Sequence, residues 1–562
     1  MKKTTRFLSW MLSAAMAATL LAGCGGGGGE TGDAGTGASE SFLAEQEGVI
    51  EGEAMTGMAD KVVVQSGSSS EDPSPFAPSV GGIIKNFLYG KLIDRNYYGA
   101  LLEDCSMWLA KSVTKVDDYT YDIELYDYIT DSQGNNINAD DVIFSYKMSY
   151  EEGNFLRIGS SMKSLDKTGE YSLRMTLNTN APGVAEDLMS NVQLDIVDQQ
   201  WYENATEEER RKNPATTGPY RIVSEGAGSS TVIEAVENYW QTDKSLNPPA
   251  ASQNVKTIEF KVITEPAMSA IALENHEVDS IFFNDATTLS YFFENGAPKE
   301  GYNVNLGNGT FTMDVFLNMS EGSVFADNLA LRQAVLYALS AEDVLFATGN
   351  NEYTSFVPLT LGTDAMNGYQ EQWDQEDYYG YDPDKATQLL EEAGYAPGEL
   401  TLTFMSSAGQ LNDSGRSVIV SNLEEIGINV ELLTVDTALF NTYKYDATQW
   451  DFMIDFKGAG TGHITGIWDS CFNPSGFTDG TSVCLNRDDE LVNLLNAVNN
   501  DPSDENINAF HYYLKDQAYC KGMYANRSII ASTDGILEIA TDALGNPRPN
   551  AYVFAADYQS GQ

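Results

Sequence analysis

The chain has 562 residues, with 32 Lys and Arg against 82 Asp and Glu, a formal net charge of −50 with neutral His. So acidic a surface repels phosphate backbones and anionic lipid alike, which argues against nucleic acid as a partner and leaves membrane attachment to something other than charge. Cys105, Cys471, Cys484 and Cys520, with His276, His463 and His511, form no CxxC pair and no Cys/His cluster, so neither a zinc site nor another cofactor is expected.

Lys2, Lys3 and Arg6 precede an apolar run over 8–21 that is too short for a membrane span. It ends in Leu21-Ala22-Gly23-Cys24, which resembles a bacterial lipobox. That resemblance implies cleavage before Cys24, a diacylglycerol on its sulfur, and anchoring at the extracytoplasmic face of the cell membrane. Residues 1–23 thus read as a signal peptide. Losing its three cations leaves 29 basic residues against 82 acidic ones, a net −53. Residues 24–60 are rich in Gly, Glu, Ala and Ser and read as a flexible acidic tether.

The remaining 500 or so residues are too many for one core and predict several lobes. Strands are expected at 61–65, at 119–125, where Tyr119, Tyr121, Ile123 and Leu125 alternate with polar residues, at 231–236 and at 254–264. Asn138 with Asp141 three residues on predicts a capped helix, and Pro266 opens another that leads into 278–283. Asp131-Ser-Gln-Gly-Asn-Asn136 matches a calcium loop only in part and reads as a turn. Further on, strands are expected at 312–318, 400–405, 428–435 and 452–454. Helices are expected to begin at Asp327 and Asp382-Pro383 and to end at Gly394 and Ile426-Gly427. This alternation is α/β in both halves.

Five segments, in order, resemble the peptide/nickel-binding family of ABC-transporter solute-binding proteins, solute-binding family 5. Ala110-Lys-Ser-Val-Thr-Lys-Val-Asp-Asp-Tyr-Thr-Tyr121 is similar to its opening strand pair, and Ile137-Asn-Ala-Asp-Asp-Val-Ile-Phe-Ser145 to its "ADDV-FS" helix start. Asn213-Pro-Ala-Thr-Thr-Gly-Pro-Tyr220 with Asn238-Tyr-Trp240 resembles its "GTGPY … N-x-YW" block. Leu331-Arg-Gln-Ala-Val-Leu-Tyr-Ala338 and Tyr381-Asp-Pro-Asp-Lys-Ala386 resemble its "RQAI-YA" and "YDP-KA" helices. The resemblance implies a periplasmic-binding-protein-like fold (type II, cluster C-like), with two α/β lobes around a ligand cleft and a smaller insert lobe. By analogy, lobe I comprises 61–105, 206–312 and 521–562, the insert 106–205, and lobe II 313–520. It also implies capture of a peptide or similar polar solute and delivery to ABC permease subunits, with no catalysis. No nucleophile elbow, zinc motif or phosphate loop stands in the sequence to favour an enzyme. A surface sensor or an oligosaccharide-binding lipoprotein of the same fold is the alternative.

Peptide binders of the family place an Asp shortly after the strand that here reads Trp450-Asp451-Phe-Met-Ile-Asp455. No carboxylate lies between Lys457 and Trp468, which shifts the expectation from free-amine peptides toward blocked peptides, sugars or another polar solute. Candidate ligand contacts in this segment are Lys457, Gly458, Gly460, Thr461, His463 and Trp468: backbone approach at the glycines, hydrogen bonds from Thr461 and His463, stacking on Trp468. Ser68, Ser69 and Asp72 follow the first strand, and Phe283, Asn284 and Asp285 follow another, where open α/β sheets meet their ligands. Cys471 and Cys484 are a candidate disulfide in an oxidising compartment, though connectivity stays open at this stage.

Overall fold

Runs of β-branched and aromatic residues bounded by Gly, Asn and Asp build three main sheets. The computed structural model describes residues 52–67, 72–77, 83–226, 228–307, 309–358, 361–458, 460–474, 483–485 and 488–561, all within one unit, Val49–Gln562. The first sheet has seven strands in the spatial order Tyr302–Leu306, Ile529–Thr533, Ser280–Phe283, Ala59–Ser66, Val255–Val262, Ser230–Ala235, Tyr220–Gly226. Its central strand, Ala59–Ser66, runs parallel to both neighbours, Val255–Val262 and Ser280–Phe283; the outer pairings are antiparallel. Val62 and Val64 pack with Leu88, Ile258 and Phe260 on one face, while Val63 joins Leu273, Ile281 and Ile529 on the other. A strand covered on both faces needs this unbroken apolar run.

The second sheet has six strands: Ser355–Phe356, Cys520–Asn526, Phe311–Leu317, Phe452–Gly458, Thr401–Ser407, Asn429–Val435. Val315, Leu317, Phe404, Phe452 and Ile454 share one core with the helix Leu329–Ala338; Phe316, Met405 and Met453 face a second core containing Trp373, Trp468 and Phe510. A third, antiparallel sheet, in the order Ala110–Asp117, Thr120–Leu125, Ser172–Leu177, Met162–Gly169, shares a core with the helices Ala139–Glu151 and Val184–Ser190. The mixed α/β architecture expected from the sequence is the one observed.

Local chemistry sets the element ends. Asn138 and Asp141 form the expected reciprocal capping box. Asp382 caps Pro383–Glu392 by accepting from the Lys385 amide, and Gly394 beyond it takes φ 93°. The helix expected to open at Asp327 is capped instead by Asn328, whose side chain accepts from the Leu331 amide at 3.1 Å; Leu329 is the first helical residue, so the cap must sit one position later. Asp131 closes its own turn, accepting from the Gln133 and Asn135 amides at 2.8 and 3.0 Å.

Leu306 ends a strand of the first sheet and Phe311 begins one of the second, and the chain returns at 527–528. Gly307 N–H donates to the Ser528 carbonyl at 2.8 Å, which holds the two crossings side by side. Cys520–Asn526 pairs with Phe311–Leu317 and so belongs to the second sheet, placing the return seven residues beyond the boundary expected after 520.

Candidate functional site

The parallel strands of the first sheet end on one edge. Gln65 lies near the end of Ala59–Ser66, Thr264 follows Val255–Val262, and Phe282 to Asp285 finish Ser280–Phe283 and continue past it. Facing them from the second sheet are Phe311 at the start of its strand, Phe456 near the end of Phe452–Gly458, and the return crossing at Asn526, Arg527 and Ser528. Together these groups line a cavity of about 680 Å³. Carboxyl ends of parallel strands are where open α/β sheets take ligands, and the volume suits a small organic solute. A second cavity, about 60 Å³, adjoins it through the shared Asn86, Val192 and Leu544. Its charges are already matched: Arg548 grips Asp94 with two bonds of 2.8 and 2.5 Å, and Lys91, pushed down to about 8 by burial, donates to the Val192 and Leu194 carbonyls. The larger cavity is therefore the candidate site.

Phe311 and Phe456 give this cavity an apolar platform. Their rings are stacked, 5.4 Å between centroids and 6° apart in plane, yet they remain 40% and 36% exposed. Gly458 stands opposite Phe311 in the register, and a Cβ there would lie 2.3 Å from the Phe311 ring. Gly458 thus makes room for the ring, and it does not itself line the cavity.

Of the residues expected from the sequence, Phe283, Asn284 and Asp285 line the cavity. Asp285 also caps the helix Ala286–Phe292 by accepting from the Thr288 amide at 2.8 Å. Asp72 is used in its own turn, accepting from the Ser74 amide at 2.9 Å, and does not line the cavity. Ser68, Ser69 and Cys24 lie outside the described residues.

None of the described residues from Lys457 to Trp468 lines the cavity, contrary to expectation. Strand alternation turns Lys457 to the sheet face opposite Phe456, where its ammonium lies 2.6 Å from Asp455. Burial alone would discourage both charges there, but Lys457 and Lys444 hold the Asp455 carboxyl below its ordinary value, and Asp455 in turn raises Lys457. Asp314, directly across the ladder from Asp455, is pushed well above the carboxylate range by burial. Gly460, Thr461 and Gly462 seal one part of the molecule against another. The Gly460 carbonyl accepts from Arg95 at 2.7 Å, the Gly462 carbonyl from the Asn367 amide at 3.0 Å, and a Cβ on Gly462 would sit 2.1 Å from the Gly99 nitrogen. Thr461 is buried against Gly183.

His463 is not a surface residue and does not line the cavity. It is buried and caps the helix Ile464–Phe472, its Nδ1 accepting from the Thr465 amide at 3.2 Å. Trp468 is fully buried, 4.7 Å from Phe510 by ring centroids, so its indole packs a core instead of offering a stacking face. Cys471 and Cys484 are free thiols buried in that same core, and the expected disulfide is not formed. Sequence reasoning missed Phe311, Phe456 and Arg527. Phe456 carried one signal, an aromatic two positions past a buried Met-Ile pair, but its face is set by a register that only pairing defines.

These assignments predict opposite effects for two aromatics. Phe456→Ala should weaken ligand binding by about 1–3 kcal/mol with little change in melting temperature. Trp468→Ala should cost about 3–5 kcal/mol of stability in urea unfolding, from the cavity it leaves. Equal loss of affinity in both variants would contradict the placement of the platform.

Burial pushes the His463 imidazole from 6.5 down to about 4. Below pH 6.5 the unfolded chain takes a proton that the folded site refuses, so this contribution is present above 6.5 and is lost as pH falls toward 4. The loss is on the order of 3 kcal/mol. His463→Asn keeps a capping side chain and should flatten the fall in stability across that window, measured by urea unfolding at a series of pH values. An unchanged slope would mean that His463 titrates normally in the fold.

The description "Bacterial extracellular solute-binding proteins, family 5 Middle" matches residues 105–476. The nickel-binding periplasmic protein of Escherichia coli is 23% identical over 351 residues, a match spanning 58% of this chain and 62% of that protein. Among solved structures, HbpA2 from Haemophilus parasuis superposes with a TM-score of 0.74 at 15% identity, covering 88% of this chain and 100% of that one. The periplasmic binding protein DppA from Helicobacter pylori, solved in complex with peptide STSA, superposes at 0.68 with 16% identity, covering 89% and 99%. At these identities the structures establish the fold alone, in keeping with the mixed α/β architecture described above. With the family match over 105–476, the chain belongs to the bacterial extracellular solute-binding proteins of family 5.

Proposed function

We propose that this chain is a lipid-anchored receptor that captures a peptide or similar polar solute between its two large sheets and presents it to an ABC import permease. The observation that carries this reading is the cavity of about 680 Å³ at the strand ends, with an exposed Phe311–Phe456 stack on one wall. Flat apolar rings beside a few polar groups are the usual make-up of a small-molecule site. Asn86, Asn284 and Asp285 supply such groups from the first-sheet side. A carboxylate therefore does reach the cavity, from the end of Ser280–Phe283 and not from the segment after Asp455, and free-amine peptides stand beside blocked peptides and sugars as candidate solutes. Among the described residues no histidine lines the cavity, and this lining suits an organic solute better than a histidine-ligated metal. The anchor on Cys24 rests on the charged start, the apolar run and the lipobox-like end of the first 24 residues.

Ligand binding can drive lobe closure only by the difference in affinity between open and closed forms. Titration calorimetry with unmodified peptides, N-blocked peptides and oligosaccharides, paired with small-angle scattering, should show a peptide that binds and compacts the protein. Binding confined to oligosaccharides, or peptide binding at saturation with no change in scattering, would favour the alternative of a sugar-binding or sensing lipoprotein. Cys24→Ala should move the protein from the membrane fraction to the soluble fraction with its melting temperature unchanged; retention on membranes would refute the anchor.

A further inference from the structure

Among the described residues, seven Lys or Arg side chains are at least nine-tenths buried. Six have acceptors. Lys85 pairs with Asp195 at 2.5 Å, Lys91 donates to the Val192 and Leu194 carbonyls, and Arg95 donates to the Gly460 carbonyl. Arg332 donates to the Phe325 and Gln517 carbonyls at 2.7 Å, Arg416 donates to the Leu411 carbonyl and the Asp413 carboxylate, and Lys521 donates to the Leu336 and Leu339 carbonyls.

Arg527 is the seventh. It is 7% exposed, and its guanidinium carbon lies 4.8 Å from the centre of the Phe356 ring, which covers one face of the group. Its in-plane N–H donors have no hydrogen-bond acceptor and no ion-pair partner among the described residues. Asp364 acts on it through space without forming an ion pair. Arg416 Nε also lacks a partner but is sealed inside the protein, whereas none of the Arg527 nitrogens is sealed: its donors are unused by the described residues and stay within reach of the cavity that the side chain lines.

Two further observations say what. Arg527 lines the cavity that holds the Phe311–Phe456 stack. It also stands in the return crossing between the sheets: its own N–H donates to the Thr354 carbonyl at 2.8 Å, and the next residue, Ser528, accepts from Gly307. A group bound to this side chain is therefore held where the two large sheets join.

We propose that Arg527 is the anion-binding residue of the cleft, and that the solute carries a carboxylate that takes the guanidinium fork while its apolar part lies on Phe311 and Phe456. The planar fork matches a carboxylate with two parallel bonds. Asp285 on the same cavity disfavours a more highly charged anion such as phosphate. This inference rests on the cavity being the solute site and narrows the solute to carboxylates.

The test is calorimetry at fixed low salt on the full folded domain, wild type, Arg527→Gln and Arg527→Lys, with melting temperatures as the check on folding. The probes are Ala-Phe and its C-terminal amide, then hippurate and its amide. In the wild type each acid should bind more tightly than its amide, on the order of 10- to 100-fold. Arg527→Gln should lose that factor for the acids and nothing for the amides, and Arg527→Lys should recover part of it. The acid–amide comparison in the wild type needs no variant to fold. Acids and amides binding alike, Arg527→Gln weakening both equally, or no acid binding at all would each overturn the proposal. Hippurate binding through Arg527 with no peptide binding would uphold it while removing the peptide reading. Peptides binding regardless of the carboxylate would do the reverse.

Discussion

The Gly307 amide and the Ser528 carbonyl, 2.8 Å apart, tie together the two stretches of chain that join the first sheet to the second. Each sheet buries its own apolar faces against its own helices, so the sheets could adopt many relative placements without changing either core. The paired crossings restrict that freedom at one edge, and the packing of Gly460 and Gly462 against Arg95, Gly99 and Asn367 restricts it further. Everything at the candidate site follows from this. The strand ends of the first sheet, the aromatic platform of the second, and Arg527 in the crossing itself converge on one cavity because the crossings put them there.

The same geometry separates seal from site. The loop carrying Gly460 to Gly462 and the strand residue Phe456 lie within a few positions of each other, yet only Phe456 meets the cavity. Arg95 and Asn367 take the two loop carbonyls, and the close approach of Gly99 to Gly462, both at positive φ, leaves no room for a side chain at either position. Under the sheet, Asp455 sits between Lys444 and Lys457, at 3.6 and 2.6 Å, while burial raises the Asp314 carboxyl across the ladder well above its ordinary value. Two ionised carboxylates facing each other in a dry interior repel, and the two are pushed in opposite directions: burial raises Asp314 while the two lysines lower Asp455. A chain with a net charge of −50 tolerates these interior charges because each is answered locally, and Arg527 is notable for lacking such an answer.

Element type and order could be read from the sequence because they depend on short-range chemistry. The Asn138–Asp141 box, the Asp382 cap with Gly394 past the helix end, and the alternation over Tyr121, Ile123 and Leu125 each act within a few residues, and each appears where expected. The family motifs add order across the chain, which is why the two-sheet fold could be anticipated. Position after a strand end was enough to bring Phe283, Asn284 and Asp285 to the cavity, since the parallel direction of that strand decides which edge it reaches.

What the sequence could not decide is which of two adjacent side chains faces a ligand. Phe456 and Lys457 differ by one residue, and one residue inverts a strand's facing, so the platform was fixed only when Phe452–Gly458 paired with Phe311–Leu317 in its particular register. Trp468 and His463 have the residue types of a binding segment, but the Ile464–Phe472 helix turns the indole into a core and uses the imidazole as a cap. Arg527 is a single cation between two apolar strands in the sequence. Its burial, its ring contact with Phe356 and its unused donors come from residues distant in the chain, so they exist only once both sheets have closed around it. The sequence by itself determined the elements, their order and the family; tertiary packing decided the site, because facing, burial and partnership are properties of pairs of segments and not of any one segment.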